Sequence, residues 1–334
     1  MTKWLRRGLL ALLGLAVVVV GAGIGYEQWA RRSVAEEVPP PGQLVEHGGQ
    51  RSHLNCTGQG SPTVVLEAGL GVAGSLSWRA VQRKVAAGTR VCSYDRAGYL
   101  WSEPRDEPRD ANRIARELHA LLQASSESPP YLLVGHSLGG LLIRVYDDRY
   151  TGEVTGFVFV DPSHPEQFDR YPPGVVEYRT RRTAALPPPL LFRAWVFVGG
   201  YRLTLAPPDN AVQAYLWRTV PWGFLGEENA REAIYEQASS TGPLGDRPVV
   251  VLTAGEPTSV SGLSDAVLSE WHETRRVLHA QIADLSTNSD LRRVEAAAHN
   301  IPRDDPEAVV AAIRDVVQAA RRDTAVTDST RFGS

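Results

Sequence analysis

Short runs of apolar and β-branched residues recur along the chain, each closing on a small or polar residue: TVVLEAG (63–69), TRVCSYD (89–95), PYLLVGHS (130–137), VTGFVFVD (154–161), RPVVVLTAG (247–255) and LRRVEAAAH (291–299). Continuous runs of this kind predict strands buried on both faces. Between them lie helix-length stretches: SLSWRAVQRKVAA, ANRIARELHALLQA, LGGLLIRVYDDRY and DDPEAVVAAIRDVVQAARR. In the last, Asp304 or Asp305 followed by Pro306 supplies an N-cap acid and a proline in the first turn. The alternation predicts an α/β fold with a mostly parallel sheet flanked by helices, and a site at the C-terminal ends of the strands.

Two regions break the rhythm. Residues 163–246 show no clear alternation, yet these 84 residues hold 12 of the 26 aromatics and 10 of the 23 prolines. They predict a helical cap inserted between two strands, whose aromatics mainly form its own core and partly face a substrate cavity. At the other break, Lys3, Arg6 and Arg7 precede the uncharged GLLALLGLAVVVVGAGIG (8–25). As a helix its length is roughly 27 Å, close to the hydrocarbon thickness of a bilayer. Trp4, Tyr26 and Trp29 stand where interfacial aromatics would, and the leading basic residues put the N-terminus in the cytoplasm. The expectation is a single anchor with an extracytoplasmic body. The alternative is a signal peptide and secretion, although no clear A-x-A cleavage site follows. A dinucleotide loop at VVVVGAGIG fails because Tyr26 occupies the third glycine position.

The resulting organisation is an anchor over 1–33 (transmembrane helix about 8–26), a linker over 34–45 containing VPPPG, a core over 46–162 and 247–320, the cap over 163–246, and a disordered tail over 321–334. A formal net charge of -3 with dispersed basic residues gives no footprint for nucleic acid. The two cysteines, Cys56 and Cys92, can be a disulfide in an oxidising compartment or two small buried hydrophobes, and cannot build a zinc site alone. His272-Glu273 lacks the second histidine of H-E-x-x-H, since Arg276 stands there. No metal or cofactor is expected.

The chemistry gathers at Gly135-His136-Ser137-Leu138-Gly139, a G-x-S-x-G sequence after an apolar run and before a helical one. Small residues flank the serine because the strand-to-helix turn is too tight for side chains, which lifts the hydroxyl above the sheet edge. A serine hydroxyl is a poor nucleophile near neutral pH and needs a base.

With YDRAGYLWSEP (94–104), VGHSLGG (134–140), VDPSHP (160–165), and AHNI followed by DDPEAV, the chain resembles the lid-bearing α/β-hydrolases over roughly residues 45–320. That resemblance implies Ser137 as nucleophile and His299 as base. For the acid it leaves three candidates: Asp161 at the end of the strand after the elbow helix, Asp265 and Glu256. Asp161 before Pro162 can also be simply a turn residue. The resemblance further implies oxyanion donors at Leu138 and Leu70, and neighbouring strands for Cys56 and Cys92, hence a disulfide. His136 is expected to pack within the elbow, and His164 stands out only for following Asp161 closely. The implied activity is serine esterase chemistry on a small-molecule acyl substrate. Amide, thioester or carbon–carbon hydrolysis and haloperoxidase-like activity share the same residues, and a ligand-binding or signalling role with little turnover is the competing class. Dehalogenase and epoxide hydrolase chemistry is disfavoured because both use a carboxylate where Ser137 stands.

Overall fold

A computed structural model describes residues 3–71, 73–105, 108–185, 188–198, 222–256 and 260–322. Residues 199–221 of the expected cap and the expected tail beyond residue 322 lie outside the described residues. Eight strands form one sheet: β1 (Gln43–His47), β2 (Gln50–Thr57), β3 (Thr63–Glu67), β4 (Val91–Tyr94), β5 (Tyr131–His136), β6 (Val154–Val160), β7 (Val249–Ala254) and β8 (Ser289–Val294). Their order is β1-β2-β4-β3-β5-β6-β7-β8, with β2 antiparallel to both neighbours and the other pairs parallel.

The apolar runs become strands because residues alternate between two cores. Leu132, Val134, Val158, Val160, Val250 and Leu252 pack on one face, whereas Leu133, Phe157, Phe159, Val249 and Val251 pack on the other. The first face meets α2 (Arg79–Val85) and the apolar stripe of α12 (Pro306–Arg322). The second meets α3 (Ala111–Ala124) and α4 (Gly139–Arg149). Capping fixes where two of these helices start: Asp110 Oδ1 accepts from Arg113 N at 2.9 Å, and Asp305 Oδ1 accepts from Ala308 N at 3.0 Å.

Several boundaries differ from the sequence expectation. The first helix, α1 (Lys3–Glu37), runs past the expected anchor into the expected linker, leaving only 38–42 as connection. That connection is fastened to the body, since Trp101 Nε1 donates to Val38 O at 3.0 Å and His53 Nε2 lies 2.5 Å from Pro41 O. The core begins at Gln43 because Gly48 and Gly49, both at positive φ, close a two-residue hairpin between β1 and β2. β8 stops at Val294, short of the run read through 299, and the loop after it carries His299.

Between β6 and β7 the described helices are α5 (Gln167–Arg170), α6 (Pro173–Ala184), α7 (Pro189–Phe197), α8 (Gly223–Asn229) and α9 (Arg231–Ser239). α9 packs on the second core, with Ile234, Tyr235 and Ala238 buried against α3 and α4. Another helix, α10 (Asp265–Ala283), lies between β7 and β8, and the short α11 (Ile301–Asp304) precedes α12.

Cys56 and Cys92 stand opposite each other in the β2–β4 ladder and form a disulfide. Most of α1 is exposed, including Leu5, Leu12 and Val17, but Glu27 is buried, and a Cβ on Gly23 would lie 2.5 Å from Val198 O.

Candidate active site

The C-terminal ends of β5 and β6 create the site through two strained residues. Ser137, between β5 and α4, has φ +52°, and Asp161, just past β6, has φ +42°. Non-glycine residues in this region cost energy and persist only where their surroundings hold them. The Ser137 turn is held from both sides: its N–H donates to Val160 O at 3.1 Å, and its carbonyl accepts from Gly140 N at 3.0 Å and Ser163 N at 2.9 Å.

Glycine is required around it. A Cβ on Gly135 would approach Gly139 O to 2.6 Å, one on Gly139 would approach Glu67 O to 2.6 Å, and one on Gly140 would meet Pro162 Cβ at 2.7 Å. The three glycines let β5, α4 and the end of β3 come within backbone distance.

His299 reaches this turn from the loop after β8. Its Nε2 lies 3.1 Å from Ser137 Oγ and its Nδ1 lies 2.5 Å from Asp161 Oδ2, so the three side chains form one hydrogen-bonded chain. The His299 side chain is 45% exposed, whereas that of Asp161 is fully buried. His136 steadies the loop by donating from Nε2 to His299 O at 2.8 Å. Burial, followed by the nearby His299, holds His136 down to about 4, so it remains a neutral donor.

Asp161 carries more than His299. Its Oδ1 accepts from Ala254 N at 3.0 Å, and the Arg275 guanidinium donates to Oδ2, the oxygen that also faces His299. Burial alone would raise the carboxyl; the Arg275 charge and then the His299 contact outweigh it and hold Asp161 well below the usual carboxylate range. Glu256 and Asp265 stand elsewhere. Glu256 is exposed, with its N–H on Ala297 O, and Asp265 lies in the first turn of α10, behind the Ser264 cap. His164 engages its own loop, accepting from Glu166 N at 3.2 Å.

Sequence reasoning missed Arg275 and His279, four residues apart on α10. His279 Nε2 donates to Pro162 O at 2.9 Å while Nδ1 pairs with Thr253 Oγ1 at 2.8 Å, bracing the loop that carries Asp161. Nothing in WHETRRVLH marks either residue; only the packing of α10 beside β7 gives them partners.

The proposed oxyanion positions flank the serine. Leu138 precedes the first residue of α4, where N–H groups lack intrahelical acceptors. Leu70 lines the same cavity as Ser137, and a Cβ on Gly69 would sit 3.1 Å from Ser137 Cβ. The Gly69 backbone is fixed by buried Arg96, which donates to Ala68 O at 2.6 Å and Gly69 O at 3.0 Å and pairs with Glu67 and Glu227. Because Glu227 belongs to α8, Arg96 ties the insertion to this loop. Above Ser137 lies a cavity of about 420 Å3 lined by β-strand ends and by α6, α8, α9 and α10.

Residues 62–210 match the alpha/beta hydrolase fold family model. The chain is 27% identical over 263 residues to "Uncharacterized protein YqjL" of Bacillus subtilis (strain 168), covering 79% of this chain and 86% of that protein. Among solved structures, a thermophilic esterase from Thermogutta terrifontis superposes with TM-score 0.59 at 18% identity, covering 83% of this chain and 98% of its own. The haloalkane dehalogenase DbeA from Bradyrhizobium elkani USDA94 gives TM-score 0.63 at 17% identity, covering 84% and 99%. At these identities the structural likeness is one of fold.

The buried His279 yields a stability prediction. Burial, its largest influence, holds it down to about 4. An unfolded histidine binds a proton near 6.5, so between about 6.5 and about 4 the unfolded chain takes up a proton that the folded one excludes, and stability falls with pH. Urea unfolding at pH 7 and pH 5 should show a loss of about 2 kcal/mol through this group. His279→Gln should show a correspondingly smaller loss relative to its own pH 7 value; an equal loss contradicts the assignment.

Proposed function

Because the chain belongs to the α/β-hydrolase fold family, we propose that it is a serine hydrolase cleaving a carboxylic ester, or a related acyl bond, of a small or lipophilic substrate through an acyl-enzyme on Ser137. The observation that carries this reading is the unbroken chain Ser137 Oγ–His299–Asp161 opening on a cavity. A hydroxyl nucleophile needs an adjacent base, and the base needs a partner fixing its tautomer; both requirements are met within hydrogen-bond reach.

In this mechanism Ser137 Oγ attacks the carbonyl carbon as its proton passes to His299 Nε2. Nδ1–H keeps donating its hydrogen bond to Asp161, which stabilises the imidazolium so formed. Charge on the former carbonyl oxygen is met by the N–H groups of Leu138 and Leu70, each such donor contributing about 3 kcal/mol in well-studied cases. The imidazolium then protonates the departing alcohol, leaving the acyl group on Ser137. Water enters, loses its proton to His299 and attacks the acyl carbon; carboxylic acid is released and the Ser137 hydroxyl restored.

We propose further that the apolar N-terminal helix crosses a membrane and that the catalytic body lies on its far side. Lys3–Trp29 is long and apolar enough to span, and the Cys56–Cys92 disulfide suits an oxidising compartment. Beside the anchor, α7 exposes Leu190, Leu191, Trp195 and Phe197, a face suited to the adjoining lipid surface. The full-length protein should stay with membranes through a carbonate wash and show no free thiol when unfolded without reductant. Release into the wash or two reactive thiols would contradict this topology.

For the chemistry, Asp161→Asn should lower kcat for short 4-nitrophenyl esters by about 10^4-fold, since it removes the acceptor that fixes the His299 tautomer. Asp265→Asn, on the surface turn of α10, should stay within a few-fold of the parent. The reverse ranking would move the acid to Asp265.

A further inference from the structure

The cavity over Ser137 carries more positive charge than its own carboxylates balance. Asp161 is engaged by Arg275. Glu228 is engaged by Arg231 at 2.9 Å, with Thr183 Oγ1 also donating to it at 2.9 Å. Two arginines remain, Arg179 and Arg182 on α6, and both line the cavity. Their spacing of three residues puts them on one helix face. Arg181, on another face, points away to an ion pair with Glu177 at 2.6 Å.

Among the described residues neither Arg179 nor Arg182 has a carboxylate partner. Arg179 lies over the Phe168 ring at 5.1 Å, and Arg231 approaches the same ring at 5.1 Å. Arg182 donates to Tyr178 Oη at 3.2 Å. Gathering guanidinium groups around a concave apolar wall costs repulsion, and a bound anion relieves it. A cleft of one sign with low-dielectric walls also concentrates ligands of the opposite sign. Guanidinium groups present planar pairs of donors that match a carboxylate.

We propose that Arg179 and Arg182 form an anion subsite beside Ser137, and that the substrate is an ester carrying a carboxylate or similar anionic group in addition to its scissile bond. The inference rests on the serine hydrolase reading and names the substrate class of that same site.

The test compares kcat/KM on matched probes with the full chain. On the acyl side, 4-nitrophenyl hexanoate is set against the mono-4-nitrophenyl ester of adipic acid, in which a carboxylate replaces the terminal methyl of the same six-carbon chain. On the alcohol side, 4-(methoxycarbonyl)phenyl hexanoate is set against 4-carboxyphenyl hexanoate. The anionic member of one pair should be preferred by about tenfold or more at low salt, mainly through KM, and the preference should shrink as salt is raised. In Arg179→Gln/Arg182→Gln the ratio should collapse toward unity, while Arg179→Lys should retain most of it. Turnover of the neutral esters with no anionic preference in either pair would overturn the subsite alone. A preference that survives the double substitution would also overturn it. Absence of turnover on all four esters, with no fluorophosphonate adduct on Ser137, would instead overturn the hydrolase reading and the subsite with it.

Discussion

The fully buried carboxylate of Asp161 is the constraint around which the site is organised. One oxygen faces both the His299 imidazole and the Arg275 guanidinium, and the other accepts from the backbone of Ala254. A lone carboxylate so deep in protein would be costly; shared among these donors it stays ionised and fixed in place. Its backbone enters a left-handed conformation to reach this position, and its N–H is taken by Leu252 O. The sheet thus supplies the geometry, α10 supplies the counter-charge, and the loop after β8 supplies the imidazole. The same oxygen that orients His299 also answers to Arg275, so α10 belongs to the electrostatics of the site as well as to its wall.

A second buried ion cluster performs the corresponding task on the opposite side of Ser137. Arg96 sits between Glu67 at the end of β3 and Glu227 on α8, while holding the carbonyls of Ala68 and Gly69. Burial, the largest influence on Glu67, raises its carboxyl, with Arg96 the main opposing one. Tyr94 and Tyr99 complete the cluster by donating to Glu67 and Glu227. Such a network is costly when half satisfied and rigid when complete. Here it couples the loop that carries Ala68 and Gly69 to the helices that roof the cavity, so insertion and core share a polar joint as well as apolar packing.

Much of this was legible in the residues themselves. Continuous burial at 131–134, 157–160 and 249–252, alternating between two faces, followed directly from apolar runs, and the spacing of Gly135 and Gly139 about Ser137 has a steric cause that the backbone distances express. The Gly48-Gly49 hairpin carried a signal that was overlooked, which is why the core begins earlier than expected. Arg275 and His279 carried none, and Arg96, inside YDRAGYLWSEP, gave no sign of its partners. Their partners are 26 to 131 residues away in the chain, and a charged or imidazole side chain reads as a solvated helix face until the tertiary packing buries it. Composition sets residues 163–246 apart from the rest of the chain, but it cannot tell that Ile234 and Tyr235 face the main core.

The proposed chemistry depends on activation of the Ser137 hydroxyl, raised on its turn, by His299. Treatment of the intact protein with a fluorophosphonate, followed by peptide mapping of the adduct, tests it most directly. A single stoichiometric adduct on Ser137 is expected, formed far more slowly in His299→Gln while the fold is retained. An unmodified Ser137 in folded protein, or labelling that proceeds equally fast without the imidazole, would contradict it.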